Sequence, residues 1–415
     1  MKLTSDASMI GGRDQRLSTY GNLTNFLGLD VPKNYLDIFN SLDGTHPHHR
    51  DLEERLREIK GRRFDFIGGG ISGVTSAYVA GELSRIYDLD WEIHVWDRLD
   101  GVGLKSTKDS AARTRTSMFG SEEETLGNLA TSLFFENLPH ILATGAREAE
   151  REFDTNNVYT GLHRCGYLWL LEDGKNVETV KANKRLLDKL GLPAFILEPS
   201  DVAELLMPGI NQERFEFAYF CPTDAFVEPT SIVNALYSYC KKVLGVNFHF
   251  NQEIVEIYVD TNRPIRFKTR YIGSESVPNG QGDHNTNYLG ITTGACSKEL
   301  GSRFIINGVK SPIDIRVIPK ARQLTYVVGF SEEELREHES FNILMGEGAY
   351  WTRESPYSRH LLFGFARPND PEVTSERVFD ETTQSDDYFI EHMLMEGRLD
   401  GIHKDISLGS DKMHI

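Results

Sequence analysis

The chain has 415 residues and a mass of 47.0 kDa, which is long enough for two or three domains with their own buried cores. Its 45 basic and 62 acidic side chains give a formal net charge of −17, which argues against a nucleic-acid or anionic-membrane surface built on clustered Lys and Arg. Hydrophobic residues make up 39% of the chain, which excludes a disordered polypeptide.

The four cysteines, Cys165, Cys221, Cys240 and Cys296, are too few and too far apart for a disulfide framework or a paired-cysteine metal site. They are typical of reduced cytoplasmic thiols, and the lack of a redox pair excludes a disulfide reductase. No signal peptide and no run of about 18 apolar residues is visible. We therefore expect a cytoplasmic protein that binds no metal, nucleic acid or membrane.

The first 60 residues are predicted to be an N-terminal extension, because they show no strand alternation and include a polar, turn-like stretch at 43–49. At the end of this extension, Leu52, Leu56 and Ile59 recur at helical spacing. This pattern predicts an amphipathic helix at 51–60 that leads into the first strand.

A βαβ unit is predicted next. Residues 64–67 form a short apolar strand, 68–73 a glycine turn, 74–85 a helix with small residues on one side, and 91–96 a second strand closed by Asp97. Gly68-x-Gly70-x-x-Gly73 thus stands where a dinucleotide fingerprint must stand, between a strand and a helix. The glycines allow a tight turn, a close approach by the pyrophosphate and close helix packing, and Asp97 is placed to accept hydrogen bonds from ribose hydroxyls.

The remaining sequence predicts mostly strands, with one clear helix at 229–244 and a long polar hairpin tip at 273–285. The predicted strands lie at 166–171, 247–250, 254–259, 288–293, 316–318, 323–328, 350–352 and 360–365, the last four in an antiparallel sheet. No internal repeat is apparent.

The fingerprint alone leaves open whether the dinucleotide is FAD or NAD. Residues 98–120 are small, hydroxylated and cationic, whereas a plain NAD-binding unit more usually continues into another helix. A pyridine-nucleotide dehydrogenase is therefore the less favoured alternative.

Further motifs, in the right order, resemble the FAD-dependent amine and amino-acid oxidases, the family that includes D-amino-acid oxidase, glycine oxidase and sarcosine oxidase. Besides the fingerprint with Asp97, the resemblance rests on residues 110–115, 223–229, 245–257, 288–297 and 319–324. It runs from about Arg63 to about Arg367. It implies an α/β fold in which a Rossmann-like FAD-binding domain is joined to a second domain built on a mixed or antiparallel β-sheet.

The resemblance also implies a domain division. The FAD-binding domain would comprise residues 61–160 and 222–308, and the substrate domain 161–221 and 309–385. Residues 1–60 would be an extension, and 386–415 a C-terminal helix and tail.

Roles for individual residues in holding FAD follow from the same resemblance. The implied contacts are Gly68, Gly70, Ile71, Ser72 and Gly73 with the pyrophosphate, Asp97 and Arg98 with the adenosine ribose, Ser110, Ala111, Arg113 and Thr114 with the flavin ring, the backbone of Ile254 with the adenine, and Thr293 and Gly294 with the cofactor from the third strand. A plain core position is the alternative for Ile254.

In this chemistry a hydride passes to flavin N5 from the carbon beside the amine, and the protein supplies orientation and a cation for the reduced flavin. Arg113, Lys320 and Arg322 are the candidates for that cation, with surface or ion-pair roles as the alternative. Tyr350 and Arg353 are candidates for the substrate pocket, with ordinary sheet packing as the alternative. We expect non-covalent FAD, because no cysteine corresponds to the one that links flavin in some family members.

Toward its C-terminus the sequence departs from the family pattern. After a helix expected at 386–395, residues 396–415 contain neither the family's segment with the substrate arginine nor its later flavin-contacting glycine segment in recognisable form. We therefore carry two hypotheses. One is an FAD-dependent oxidoreductase, oxidase or dehydrogenase, that acts on the C–N bond of an amine or amino acid; the other is a non-catalytic flavin-binding subunit, or one whose site a second copy or a partner chain completes.

Overall fold

The computed structural model describes residues 54–108, 110, 113–117, 122–156, 158–171, 177–206, 210–273 and 281–317, and five short strands between residues 324 and 414. After a helical turn at 54–58, the helices are α1 (Ile71–Ile86), α2 (Glu122–Glu148), α3 (Val177–Lys189), α4 (Pro199–Leu205), α5 (Pro229–Lys242) and α6 (Ser297–Gly301). The strands are β1 (Arg63–Ile67), β2 (Glu92–Trp96), β3 (Arg113–Thr114), β4 (His163–Arg164), β5 (Tyr167–Leu171), β6 (Phe195–Leu197), β7 (Phe217–Cys221), β8 (Ala225–Phe226), β9 (Asn247–His249), β10 (Gln252–Val259), β11 (Ile265–Tyr271), β12 (Gln281–Thr286), β13 (Tyr288–Ile291), β14 (Phe304–Ile306), β15 (Val309–Lys310), β16 (Leu324–Val327), β17 (Asn342–Met345), β18 (Ala349–Arg353), β19 (Leu361–Phe365) and β20 (Met413–His414).

A parallel sheet with the strand order β13-β1-β2-β9 organises the nucleotide-binding part of the chain. Every residue of β2 after the first is buried, as expected for a parallel strand covered on both faces. Because the strands are parallel, their carboxyl ends, at Ile67, Trp96 and Ile291, lie at one edge of the sheet. Ligands of open α/β sheets bind at this kind of edge.

Helices α1 and α5 pack together in the core on one side of this sheet. The approach is close at Gly81, where a Cβ would lie 2.7 Å from the Leu244 side chain. Helix α5 begins with Pro229 after Glu228, whose side chain caps it. Full burial of its aliphatic side chains contributes about 1.5–3 kcal/mol each. These side chains are Ile232, Val233 and Leu236.

A second sheet, of order β12-β11-β10-β14-β15, packs on the parallel sheet through another core cluster. In this cluster Ile67 and Trp96 come from the parallel sheet, while Ile257, Phe267 and Phe304 come from the second sheet. The carboxyl ends of β1 and β2 are therefore held in place by their packing against the second sheet.

The largest sheet joins two distant parts of the chain. Its order is β20-β16-β19-β18-β17-β5-β7-β6, in which β17 pairs with β5 in parallel and the other neighbours are antiparallel. All five residues of β5 are buried. Trp169 and Leu171 of this strand share a core with Leu187 of α3 and Tyr219 of β7.

A small sheet of order β3-β8-β4 holds the segment after the glycine turn. Arg113 and Thr114 pair with Phe226 and Ala225, and β4 pairs with the same two residues on the other side. This sheet places residues 113–117 beside the first residues of β5.

Three sequence-based expectations about elements are wrong or incomplete. Residues 316–317 are not a strand, because the amides of Ile315 and Val317 donate to carbonyls two residues earlier, at 3.0 and 2.8 Å. The predicted hairpin tip at 273–285 is shorter, because residues 281–286 form β12 and pair with β11. The 27-residue helix α2 was missed, and it contains a proline, Pro139, that sequence reasoning treats as a breaker.

No helix in the described part of the chain is both long and apolar enough to cross a membrane. The expected N-terminal extension up to residue 53 and the expected helix at 386–395 lie outside the described residues. The proposed domain division stays a prediction.

Candidate functional site

The glycine turn lies at the carboxyl end of β1 and leads into α1. Gly68 has a φ of +112°, which L side chains rarely adopt, and its amide donates to the Trp96 carbonyl at 2.7 Å. A Cβ on Gly73 would lie 1.8 Å from the Gly68 carbonyl oxygen. The turn itself therefore requires glycine at both positions.

Gly70 is different, because nothing in the protein requires a glycine there. It caps α1 with φ −72° and ψ −176°, an extended conformation open to any residue. The nearest atom to a Cβ on Gly70 would be Thr107 Oγ1 at 3.4 Å, an ordinary contact. The space at Gly70 suits a ligand that approaches the backbone closely, as a pyrophosphate does at a helix N-terminus.

Thr107 is a residue that sequence reasoning missed. Its buried Oγ1 accepts a hydrogen bond from the Ile71 amide at 3.1 Å. The loop that carries it is tied to the turn, since the Gly103 amide donates to the Gly69 carbonyl at 2.9 Å. The available signal was a hydroxyl in the hydroxylated run after Asp97.

Asp97 stands at the end of β2, beside the glycine turn. Its Oδ2 accepts from the Gly69 amide at 2.5 Å and its Oδ1 from the Leu99 amide at 2.7 Å. Burial raises the pKa of the Asp97 carboxyl, whereas these amides and the Arg98 charge act in the opposite direction. Each carboxylate oxygen has about two acceptor positions, so both oxygens have capacity for a ribose hydroxyl.

The third strand brings Thr293 and Gly294 to the same edge. The amide and hydroxyl of Thr292 both donate to the Ile67 carbonyl, at 2.8 and 2.7 Å, which draws the end of β13 against the end of β1. The Thr293 hydroxyl is bonded to Ser297 at 3.0 Å, and Gly294 has a φ of +53°. The structure thus brings together the predicted pyrophosphate, ribose and third-strand residues.

Arg113 and Thr114, predicted to line the flavin, form β3. The Arg113 guanidinium carbon lies 3.7 Å from the centre of the Phe226 ring, a cation–π contact. The buried Thr114 hydroxyl donates to Ser132 of α2 at 3.3 Å. Ser110 is exposed, in the loop that follows Thr107.

Arg115 is the second residue that sequence reasoning left without a role. In an extended chain, residues i and i+2 lie on the same face. The Arg115 guanidinium carbon lies 5.3 Å from the Tyr167 ring centre and 5.8 Å from that of Trp169, both on β5. Burial raises the pKa of the Tyr167 hydroxyl, while the charges of Arg115 and Arg113 act to lower it. The spacing of Arg113 and Arg115, two residues apart in a short extended segment, was the sequence signal that could have indicated a role for Arg115.

Asp224 is a fully buried carboxylate at the start of β8, 1% exposed. It accepts hydrogen bonds from the Thr116 amide at 2.6 Å, from the Thr116 hydroxyl at 2.7 Å and from the Ser117 hydroxyl. Sequence reasoning placed Asp224 in a motif that begins a helix but gave it no role.

Ile254, predicted to meet the adenine, is buried on β10, and its carbonyl accepts a hydrogen bond from the Arg303 guanidinium. Ala111, Lys320 and Arg322 lie outside the described residues. Tyr350 and Arg353 lie on β18, of which the backbone alone is described. The individual site roles stay predictions.

Comparison with known proteins places the chain among flavoenzymes. The sequence profile of the family described as FAD dependent oxidoreductase matches residues 67–395. Among solved structures, L-proline dehydrogenase from P. horikoshii has a TM-score of 0.55 and 18% identity, over 82% of this chain and 77% of that one. The predicted fold, a Rossmann-like sheet with a second mixed sheet, is confirmed by this likeness.

Two curated proteins are each 25% identical to parts of the chain. D-amino acid dehydrogenase of Neisseria meningitidis serogroup A aligns over 245 residues, with 49% of this chain and 55% of that protein covered. The mitochondrial pyruvate dehydrogenase phosphatase regulatory subunit of Mus musculus aligns over 192 residues, with 46% of this chain and 19% of that protein covered. The chain therefore spans about half or less of the length of these relatives.

Proposed function

The chain belongs to the family of FAD dependent oxidoreductases, and we propose that it oxidises the C–N bond of an amino acid or amine with FAD as the hydride acceptor. The similarity to a D-amino acid dehydrogenase supports this substrate class. The observation that carries the proposal is the position of Arg115, a cation of the FAD-binding loop turned toward the aromatic wall of the largest sheet.

The residues present fit FAD. The open space at Gly70, the N-terminus of α1 and the Asp97 carboxylate suit the pyrophosphate and ribose of its ADP half. When bound, FAD supplies the ring that accepts a hydride from the carbon beside the nitrogen. We propose that the cofactor is held without a covalent bond. Release of all flavin on acid precipitation would support this, and retention on the polypeptide would contradict it.

Arg115 and β5 would form part of the substrate pocket. A guanidinium binds a carboxylate through two parallel hydrogen bonds, which fixes the orientation of an amino acid. Tyr167 and Trp169 are buried and aromatic, so they exclude water from one side of that pair. Arg113, held on the Phe226 ring, would place a second positive charge near the flavin-contacting strand and favour developing negative charge.

The first test is the visible spectrum of the purified protein supplied with FAD. We expect flavin bands that an amino acid bleaches without oxygen. Peroxide release in air would identify an oxidase, and its absence with turnover of an artificial acceptor would identify a dehydrogenase. Failure to take up FAD, or no bleaching by any amine or amino acid, would overturn the proposed reaction.

The second test concerns Arg115. We expect Arg115→Gln to raise KM for a substrate that bears a carboxylate by about 100-fold, the order expected when a charged hydrogen-bonded pair loses one partner, with a smaller effect on amines. Arg266→Gln is a matched control, because Arg266 also lies over a tyrosine, 4.1 Å from the Tyr258 ring, but on β11 of the second sheet. Equal effects of the two changes would contradict the role of Arg115.

A second candidate function is a flavin-binding regulatory subunit, which the similarity to the mouse regulatory subunit favours. In that case bound flavin would resist bleaching by amino acids and amines under anaerobic conditions. The same spectroscopic screen therefore separates the two functions. The cytoplasmic location and any partner chain stay predictions.

A further inference from the structure

Asp224 is a buried acid that the proposed reaction does not use. It lies in the turn between β7 and β8 and is held there by its own backbone, since the Gly166 amide donates to its carbonyl at 2.9 Å. Its neighbour Thr223 is fixed as well, because the buried guanidinium of Arg164 donates to the Thr223 carbonyl and to Glu136 at 2.8 Å. The backbone that carries the Asp224 carboxylate is thus fixed by hydrogen bonds.

All of the side-chain contacts described for Asp224 go to two consecutive residues. Thr116 donates twice to Oδ1, through its amide and its hydroxyl, and Ser117 donates its hydroxyl to Oδ2. Burial raises the pKa of the Asp224 carboxyl, and these hydrogen bonds act to lower it. A buried carboxylate that is satisfied by local donors holds those donors in one geometry.

Thr116 and Ser117 are also hydrogen-bonded, directly or through Asn183, to aromatic residues of the largest sheet. The Ser117 hydroxyl, which donates to Asp224, accepts from Trp169 Nε1 at 2.8 Å. The Thr116 carbonyl accepts from Asn183 Nδ2 at 3.4 Å, and Asn183 in turn accepts from the Tyr219 hydroxyl at 2.6 Å. The segment that follows Arg115 is therefore fastened both to Asp224 and to β5.

We propose that Asp224 is a positioning residue that holds Thr116 and Ser117, and through them directs the Arg115 guanidinium toward the rings of Tyr167 and Trp169. This inference rests on the proposed function, because the aim of Arg115 matters for a substrate carboxylate. Asp224 does not touch the substrate in this arrangement. It sets the direction of the side chain that does.

The experiment uses the full chain loaded with FAD and benzoate as a carboxylate probe, followed by the change in the visible flavin spectrum. We expect Asp224→Asn to weaken benzoate binding by about tenfold or more, because one acceptor of the buried carboxylate is replaced by a donor. FAD affinity should change much less. Asp65→Asn is the matched control, since Asp65 is equally buried but accepts from Arg63 and Trp96 under the parallel sheet.

A double-mutant cycle shows whether Asp224 acts through Arg115. If it does, Asp224→Asn added to Arg115→Gln should produce no further loss of benzoate affinity, although each single change weakens binding. Additive losses, or an Asp224→Asn protein that binds benzoate as the parent does, would overturn the inference. Absence of benzoate binding by the parent protein with FAD bound would instead overturn the carboxylate part of the proposed function.

Hydrogen exchange gives a readout that needs no substrate. Exchange of the peptide that spans residues 113–117 should quicken in Asp224→Asn and remain unchanged in Asp65→Asn. If Asp224→Asn does not fold, Ser117→Ala takes its place, because it removes the bonds of Ser117 to both Asp224 and Trp169. If hydrogen exchange in the folded variant is unchanged, the inference that Asp224 fixes the positions of Thr116 and Ser117 is wrong.

Discussion

Gly70 and Gly73 belong to one motif, but the steric constraints on the two positions differ. A Cβ at Gly73 would enter the backbone of Gly68, whereas a Cβ at Gly70 would meet only ordinary contacts. The fold of the chain thus requires Gly73 but not Gly70, where we propose that FAD binding requires the glycine. The distinction separates loss of folding from loss of cofactor binding.

The two alanine variants should therefore behave oppositely. We expect Gly73→Ala to destabilise the protein by about 1–3 kcal/mol or more, as for an overpacked site. Gly70→Ala should change the unfolding free energy without FAD by no more than about 0.5 kcal/mol while FAD affinity falls at least about tenfold. Chemical denaturation and flavin fluorescence titration measure the two quantities. Equal FAD affinity of Gly70→Ala and parent would remove the argument for a ligand at Gly70.

Asp97 gives the site a dependence on pH. In the proposed FAD complex the ionised Asp97 carboxylate would accept hydrogen bonds from the ribose hydroxyls, and protonation would remove one acceptor. Because burial raises the pKa of Asp97, FAD affinity should fall as the pH is lowered through that raised value and be retained above it. Asp97→Asn should lower the affinity by about 10- to 100-fold and abolish this dependence. Fluorescence titrations at several pH values test this, and an unaltered slope in the variant would contradict it.

At the scale of elements, β2, β9 and β12 bring three histidines around Trp96. The His94 and His249 rings are hydrogen-bonded at 2.8 Å, and the centres of the Trp96 and His249 rings are 3.9 Å apart. The third, His284, lies with its ring centre 4.4 Å from that of Trp96. Burial, together with His94 and His284, lowers the pKa of His249 to about 4. A neutral His249 imidazole is thus part of the layer beneath the nucleotide edge.

Charged groups face this cluster from β1 and β2. Arg63 pairs with the buried Asp65 at 2.9 Å, and Glu92 Oε1 lies within hydrogen-bonding distance of His94 Nε2, at 2.7 Å. The pKa of His249 is lowered because burial, His94, His284 and Arg63 together outweigh the attraction of the Asp65 carboxylate.

The cluster predicts acid sensitivity of the fold. The unfolded chain takes up a proton on a histidine near pH 6.5, whereas folded His249 does so near pH 4. Stability should therefore be full above about pH 6.5 and decrease between 6.5 and 4, by about 1–3 kcal/mol for a half-buried ring. Thermal melts against pH should show a shallower slope for His249→Gln, and the exposed His140→Gln should match the parent. An identical slope in all three proteins would refute the cluster's role.

Elements with strong local signals could be predicted from the sequence. The βαβ unit around Gly68 and the helix after Pro229 carry a glycine fingerprint and a proline cap, and both are confirmed within a few residues. Helix α2 could not be predicted, because it contains an internal proline and its buried residues pack in two different cores. Leu129 packs with β5 and α3, whereas Leu138 and Leu142 pack with α1 and α5. The short strand β3 forms by pairing with β8, whose residues follow their partners in β3 by 111 and 113 positions in the sequence.

The same contrast holds for the site. The glycines and Asp97 are recognisable because they are adjacent in sequence to the strands that place them. Arg115, Thr107 and Asp224 acquire their roles from partners brought close by tertiary structure, such as Tyr167 or Thr116. Their residue types alone, a cation, a hydroxyl and an acid, occur throughout the chain.

At the scale of the whole molecule, FAD would contact residues at β1, β2, β3 and β13, and β1, β2 and β13 contribute residues to two of the buried cores. Binding should therefore stabilise the protein as a unit. At an FAD concentration of about 100 times Kd, the gain is about 2.7 kcal/mol. We expect a rise in Tm of several degrees for the parent and little or none for Gly70→Ala. A rise of equal size in both would place FAD binding elsewhere on the chain.

The parallel pairing of β5 with β17 has a consequence for how the protein is made. β5 ends at Leu171, and its neighbour begins at Asn342. At a synthesis rate of about 5–20 residues per second, roughly 10 to 30 s pass between the two. Once residues 217–221 are made, β7 can pair with one edge of β5, but the other edge has no permanent neighbour until β17 is made. Nascent chains are therefore most exposed to aggregation before residue 342 is made, and synthesis without chaperones should lower the soluble yield.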